Sequence, residues 1–290
     1  MAEGDLLSAL RSGSPVLAAE LRPPRADLAS ADGIDAWIDT YHAVRRLTRD
    51  DTFVFLTDSA VGAEEEDNLR HLVINLGRDV SRSRVVPFLT SKHSLDFCLS
   101  YADRARQHGF PALVVLGGDR SLGAPRSVEH AWQLRRMLRE RDDTLSLGGW
   151  ANPHADPERQ VDYLTAPDFH ADFFLTQIIS HHRIGAAARF IETADRRGLT
   201  LPGLFGVFYY RSANRRTLEL LSGFLPVPID EITKEFAEGA TPEEICARTI
   251  RALSRAGARH FYISNLPPAR AQTVLASIIE KAKGLDPAPR

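Results

Sequence analysis

The apolar run Val16-Leu17-Ala18-Ala19 ends in one carboxylate, Glu20, and the chain is then stopped by Pro23-Pro24. Proline has a locked φ and no N–H, so it cannot extend a paired strand, and Glu20 must stand at or near a strand's carboxyl end. That is where α/β folds do their chemistry. A carboxylate there either exchanges protons with a ligand or pairs with Arg22 or Arg25.

Asp119 sits in the same way after Val114-Val115-Leu116-Gly117-Gly118. Two glycines let backbone approach a planar ligand, and the acid then faces a developing cation. The competing role is a tight turn in which Asp119 caps the next segment. Gln177 closes the aromatic-rich stretch Ala171-Asp172-Phe173-Phe174-Leu175-Thr176 and offers a donor and an acceptor, which match a heterocyclic amide edge. Trp150 and Tyr210 are candidates to stack on such a ring, although strand-end aromatics also serve packing. His154, His170, His181 and His182 crowd the central third. They lack the His-Glu-x-x-His spacing, and the adjacent pair is expected to point in different directions, so no metal site is predicted. There is no Gly-x-Ser-x-Gly elbow either, which argues against a serine hydrolase.

Positioning these groups requires strands that end on a common rim. Short apolar runs alternate with segments of helical period, giving eight predicted strands: 16–20, 53–57, 85–89, 112–116, 145–149, 172–177, 203–207 and 260–264. Most end in polar or glycine-rich tips, as a barrel mouth requires. Ser94 and Gly109 bracket one intervening helix, and Thr241-Pro242-Glu243-Glu244 opens another with a cap, a first-turn proline and acids. Ile229–Ala237 adds a further helix to the seventh crossover. The same alternation fits an open doubly wound sheet, but Glu20-Leu21-Arg22-Pro23-Pro24 stands where that fold's glycine fingerprint belongs. The expected fold is therefore a (β/α)8 TIM barrel, a single domain over residues 1–290 with the barrel proper at about 15–283 and short flexible termini.

Composition narrows the partners. With 36 Lys+Arg against 38 Asp+Glu, no overall field points to nucleic acid or an anionic membrane, and a small ligand is expected. Cys98 and Cys246 lie far apart in amphipathic segments, which suits reduced core thiols and excludes a cysteine-ligated metal. No signal peptide or membrane span is read, so a soluble, cytoplasmic protein is expected.

In order along the chain, these pieces resemble the catalytic barrel of the methylenetetrahydrofolate reductase family. Glu20-Leu21-Arg22-Pro23-Pro24 is similar to its Glu-Phe-Phe-Pro-Pro, and Leu56-Thr57-Asp58-Ser59-Ala60 to its strand-2 tip. Pro87-Phe88-Leu89-Thr90 is similar to Pro-His-Leu-Thr, Leu116-Gly117-Gly118-Asp119 to Leu-Arg-Gly-Asp, and 171–177 to its glutamine strand, with Pro202-Gly203 and 260–265 completing the series. The resemblance implies reduction of 5,10-methylenetetrahydrofolate to 5-methyltetrahydrofolate by NADH or NADPH, in one-carbon metabolism and methionine biosynthesis. Glu20 would protonate N10, Asp119 would stabilise the iminium, and Gln177 and Tyr210 would hold the folate. Thr57, Gly117, Gly118, Trp150 and His154 would line the nicotinamide nucleotide site.

The departures bear on the cofactor. Where the family has an arginine and a histidine that help hold FAD, this chain has Gly117 and Phe88, and the family's flavin-contacting lysine falls near Ala166. Three lost charged contacts, each worth about 1.5–3 kcal/mol, would cost several orders of magnitude in flavin affinity. The chain thus looks more like the family's flavin-independent branch, with direct hydride transfer. The alternatives are an FAD-dependent reductase and a non-catalytic barrel subunit that binds a pterin or a partner protein.

Overall fold

The computed structural model describes residues 4–24, 30–58, 80–120 and 123–283. Arg25, Ser59 and Ala60, which entered the sequence argument, lie outside the described residues. The eight strands are β1 (Leu17–Leu21), β2 (Val54–Leu56), β3 (Val85–Thr90), β4 (Ala112–Leu116), β5 (Ser146–Ala151), β6 (Phe173–Ile179), β7 (Gly203–Phe208) and β8 (His260–Ser264). Each pairs in parallel with the next, and β8 returns to β1 through Leu17↔Phe261 and Ala19↔Ile263, closing a barrel. The (β/α)8 TIM barrel expected from the alternation is therefore the fold, and each predicted strand lies within two residues of an observed one.

Parallel strands alternate their side chains between two apolar layers. Ala18, Phe55, Val86, Val114, Phe173, Leu175, Leu204 and Tyr262 fill the barrel interior. Ala19, Leu21, Leu56, Leu89, Val115, Phe174 and Ile263 face outward against the helices. Among the described residues the helices are α1 (Leu6–Arg11), α2 (Ser30–Arg49), α3 (Leu95–Gln107), α4 (Ala131–Arg141), α5 (Pro157–Thr165), α6 (Ile184–Arg196), α7 (Arg215–Ser222), α8 (Ile229–Ala237), α9 (Pro242–Arg255) and α10 (Ala271–Lys283). Ser94 caps α3 and Thr241 opens α9 with a capping box, as their positions in the sequence imply. The stretch before β1, read from sequence as a short flexible terminus, instead contains α1. Asp5 caps it, and its Leu6 and Leu10 are buried in the interior cluster beside Val16 and Phe53, sealing the barrel's amino-terminal end. No helix of the described residues is long and apolar enough to cross a membrane.

One interior contact orders the strands beneath the mouth. Tyr262 lies across the barrel and its hydroxyl donates to the Thr176 carbonyl at 2.5 Å. A Cβ at Gly206 would come within 2.6 Å of that hydroxyl, so only glycine leaves the ring its place. Gly206→Ala should therefore cost about 2 kcal/mol or more through overpacking and a strained buried hydrogen bond. A lowered urea midpoint at unchanged slope would show it.

Candidate active site at the barrel mouth

A cavity of about 740 Å³ opens at the carboxyl ends of the strands. Glu20 and Arg22 come from β1 and its tip, Thr57 and Asp58 from β2, Phe88 and Thr90 from β3, and Leu116 through Asp119 from β4. Trp150 comes from β5, Gln177 and Ile178 from β6, and Tyr262 and Ser264 from β8. Phe224 and Leu225, just after α7, complete the wall, and Phe224 is 58% exposed at its rim. An apolar ring would find Phe88, Leu116, Trp150 and Phe224 here, with polar groups reserved for its edges.

Glu20 is half-buried with one face on the cavity, and the Ser264 hydroxyl donates to its Oε1 at 2.6 Å. Burial pushes its carboxyl up to about 7, and the Ser264 hydrogen bond pulls the other way. At neutral pH a sizeable fraction holds a proton, the state of a general acid. Ser264 was legible as a polar strand tip but not as the partner of Glu20. Barrel closure is what sets the last strand's tip beside the first's. Ser264→Ala should move the alkaline limb of kcat/KM upward from about pH 7, because it removes a hydrogen bond that favours the ionised form. An unshifted limb would detach that limb from Glu20.

The β4 tip is held by a second set of bonds. Gly118 has φ +72°, a conformation that an L side chain rarely adopts, so the turn that presents Asp119 depends on that glycine. Ser91 binds the Leu116 carbonyl through its N–H at 2.9 Å and the Gly117 carbonyl through its hydroxyl at 3.1 Å. Arg126, which sequence reading missed, lays its guanidinium against Gly117 and donates to the Gly118 carbonyl. A Cβ at position 117 would meet that guanidinium at 2.8 Å. Nothing in the strand pattern marks Arg126, because it arrives from the loop beyond β4.

Asp58 fixes the neighbouring rim. Its Oδ2 accepts from the Thr90 N–H at 2.7 Å, the Thr90 hydroxyl at 2.9 Å and the His93 ring at 2.9 Å. On β6 the ladder to β7 slips between Leu175 and Ile178. Thr176 fills the gap, accepting from the Gly206 N–H at 3.0 Å, while the Gln177 Oε1 accepts from the Ile178 N–H at 2.9 Å. The Gln177 amide is thereby oriented at the cavity wall.

Seven of the nine sequence-derived site residues line this one cavity: Glu20, Thr57, Gly117, Gly118, Asp119, Trp150 and Gln177. Tyr210 and His154 are not brought to its wall. Tyr210 is 4% exposed and packs with Ile178, Phe208, Leu218, Val227 and Ile232 beneath the helices of the seventh crossover. His154 stands behind the wall, its Nε2 on the Ile178 carbonyl at 2.9 Å. Among the described cations, Arg22 lines the cavity. Arg211 is spent on the Asn265 and Leu266 carbonyls, and Lys234 lies 3.8 Å from Glu238. Cys98 and Cys246 are both buried free thiols.

No protein-family model and no curated protein matches the sequence. Among solved structures the fold is similar to that of an uncharacterized protein from Clostridium thermocellum that binds two copies of 5-methyl-5,6,7,8-tetrahydrofolic acid. The two share 13% sequence identity at a TM-score of 0.67, over 92% of this chain and 95% of that one.

Proposed function

We propose that the mouth cavity binds a reduced folate and that the protein reduces 5,10-methylenetetrahydrofolate to 5-methyltetrahydrofolate with NADH or NADPH. The observation that carries this reading is a protonatable buried carboxyl, Glu20, on the same cavity as Asp119 and the Gln177 amide. Folate binding by a protein of similar fold supports the substrate class. Glu20 gives its proton to N10 as the bond from N10 to the bridging carbon breaks, leaving an iminium on N5. Asp119 stabilises that cation, and hydride from the nicotinamide completes the methyl group. NAD(P)⁺ leaves, and Glu20 regains its proton from water.

Hydride passes directly in this reading. Phe88 offers an apolar wall where the resembled family has a histidine, and Ala166 has no charged group to replace its lysine. Arg126 restores a cation beside Gly117, where a nucleotide phosphate would meet it, and Arg22 is the group for the folate's glutamate tail. The cytoplasm, where reduced folate and NAD(P)H occur together, is the matching compartment.

Protein purified without added cofactor should lack flavin absorption and should oxidise NADH or NADPH only when methylenetetrahydrofolate is present. Initial rates should give intersecting double-reciprocal lines. A flavin spectrum with parallel lines would replace this with the FAD-dependent mechanism, and folate binding without nicotinamide oxidation would leave a binding barrel.

A further inference from the structure

A second cluster lies outside the cavity, where the end of β6 meets the helices of the seventh crossover. His181 and His182 follow β6, Glu235 belongs to α8, and Arg248 and Thr249 belong to α9. The adjacent histidines do not diverge as the sequence suggested. Their ring centroids are 4.0 Å apart, and both rings turn to Glu235. The short 3-10 turn His181–Arg183 causes this, because it replaces the alternation of an extended strand.

Thr249 bears on the tautomer of His181. Thr249 donates its one hydroxyl proton to the Ile245 carbonyl at 3.1 Å. With its proton placed there it accepts from His181 Nδ1 at 3.0 Å, an arrangement that puts the hydrogen on Nδ1. In the neutral ring the Nε2 lone pair then faces Glu235 Oε1 across 3.2 Å. A lone pair directed at a carboxylate is repulsive, so Nε2 holds either a proton, which makes the contact a hydrogen-bonded ion pair, or a metal ion. The other half of the cluster has the same spacing. His182 Nε2 and Glu235 Oε2 are both buried and lie 3.2 Å apart, an ion pair when the ring is protonated. The Glu235 side chain is only 9% exposed.

We infer that His181 Nε2, His182 Nε2 and Glu235 form a binding site for a divalent transition-metal ion, best matched by Zn²⁺. Two imidazoles and one carboxylate are a known zinc donor set, which leaves a fourth position for water. With bonds of about 2.0–2.2 Å, tetrahedral ligand atoms lie about 3.3–3.5 Å apart. The two 3.2 Å separations run from the ring nitrogens to different oxygens of the one carboxylate, and all the donor atoms lie within 4.8 Å of one another, within reach of a single ion. Thr249 holds the His181 ring from behind, in the place that the outer hydrogen-bond partner of a metal-bound imidazole occupies. Arg248 donates to Glu235 Oε1 and competes with the ion for that carboxylate. Metal binding would tie α8 and α9 to the end of β6.

The test is titration of chelator-stripped protein with Zn²⁺ against a chromophoric chelator, with Co²⁺ as a spectroscopic probe. One ion should bind, and Co²⁺ should give visible absorption of tetrahedral intensity. His182→Ala and Glu235→Gln should each weaken binding about 100-fold or more, and Thr249→Val about 10–100-fold. Arg248→Met should tighten it. Should the ligand variants fail to fold, Thr249→Val and Arg248→Met still move affinity in opposite directions. Wild-type affinity equal to that of the His181→Ala/His182→Ala double variant, or affinity indifferent to residues 248 and 249, would overturn the site.

Discussion

Glu20→Gln is expected to lower turnover about 10³-fold, the scale of a lost general acid, while the affinity for 5-methyltetrahydrofolate changes little. Glutamine keeps the shape and still meets the Ser264 hydroxyl, but it has no proton to give. The variant should also lose the pH dependence of the native protein. Wild-type kcat/KM should fall as pH rises through about 7, where burial has set this carboxyl, and any residual Glu20→Gln rate should be flat there. Stability changes with the same group. Between the ordinary carboxyl value of 4.5 and about 7, the folded protein holds a proton that the unfolded chain releases. Its contribution is therefore complete below 4.5 and lost as pH rises through about 7. At pH 8 the glutamine variant should be the more stable protein by about 1–3 kcal/mol, the upper end discounted for the face that Glu20 opens to the cavity. Near-normal turnover would return Glu20 to the role of an ordinary rim carboxylate.

Asp119→Asn is expected to lower kcat about 10²–10³-fold, with only a small change in the binding of 5-methyltetrahydrofolate. The product is uncharged at the reacting centre, whereas the iminium is a cation, so Asp119 acts on the intermediate alone. Arg126 sharpens the effect. Its guanidinium lies against Gly117 and interacts with the Asp119 charge, so asparagine leaves a cation on the wall where another must form. Equal losses in kcat and in product affinity would mean that Asp119 holds the β4 turn rather than the chemistry.

The barrel was legible because each strand declared itself by an apolar run with a polar tip, a pattern that needs only local sequence. The same tips marked Glu20, Asp119 and Gln177, which the closed barrel then gathers on one cavity. What the sequence did not reveal depends on closure or on loops. Ser264 becomes the partner of Glu20 only because β8 returns to β1, 244 residues away. Arg126 reaches Gly117 from a loop that has no periodic signal. Tyr210 sits just past a strand end, as a ligand contact would, but the extra helices of the seventh crossover cover it. The histidine pair misled for a local reason, since a 3-10 turn brings adjacent side chains together where an extended chain would part them.

Direct hydride transfer onto a folate in this cavity is tested most sharply by isotope. Flavin-free protein is given methylenetetrahydrofolate and NADH carrying deuterium at the transferable C4 position, and the 5-methyltetrahydrofolate formed is weighed by mass spectrometry. The expected product carries one deuterium in its methyl group, with no dilution from water. Product that has lost the label to solvent, as exchange through a reduced carrier would cause, or no methyl product at all, would contradict it.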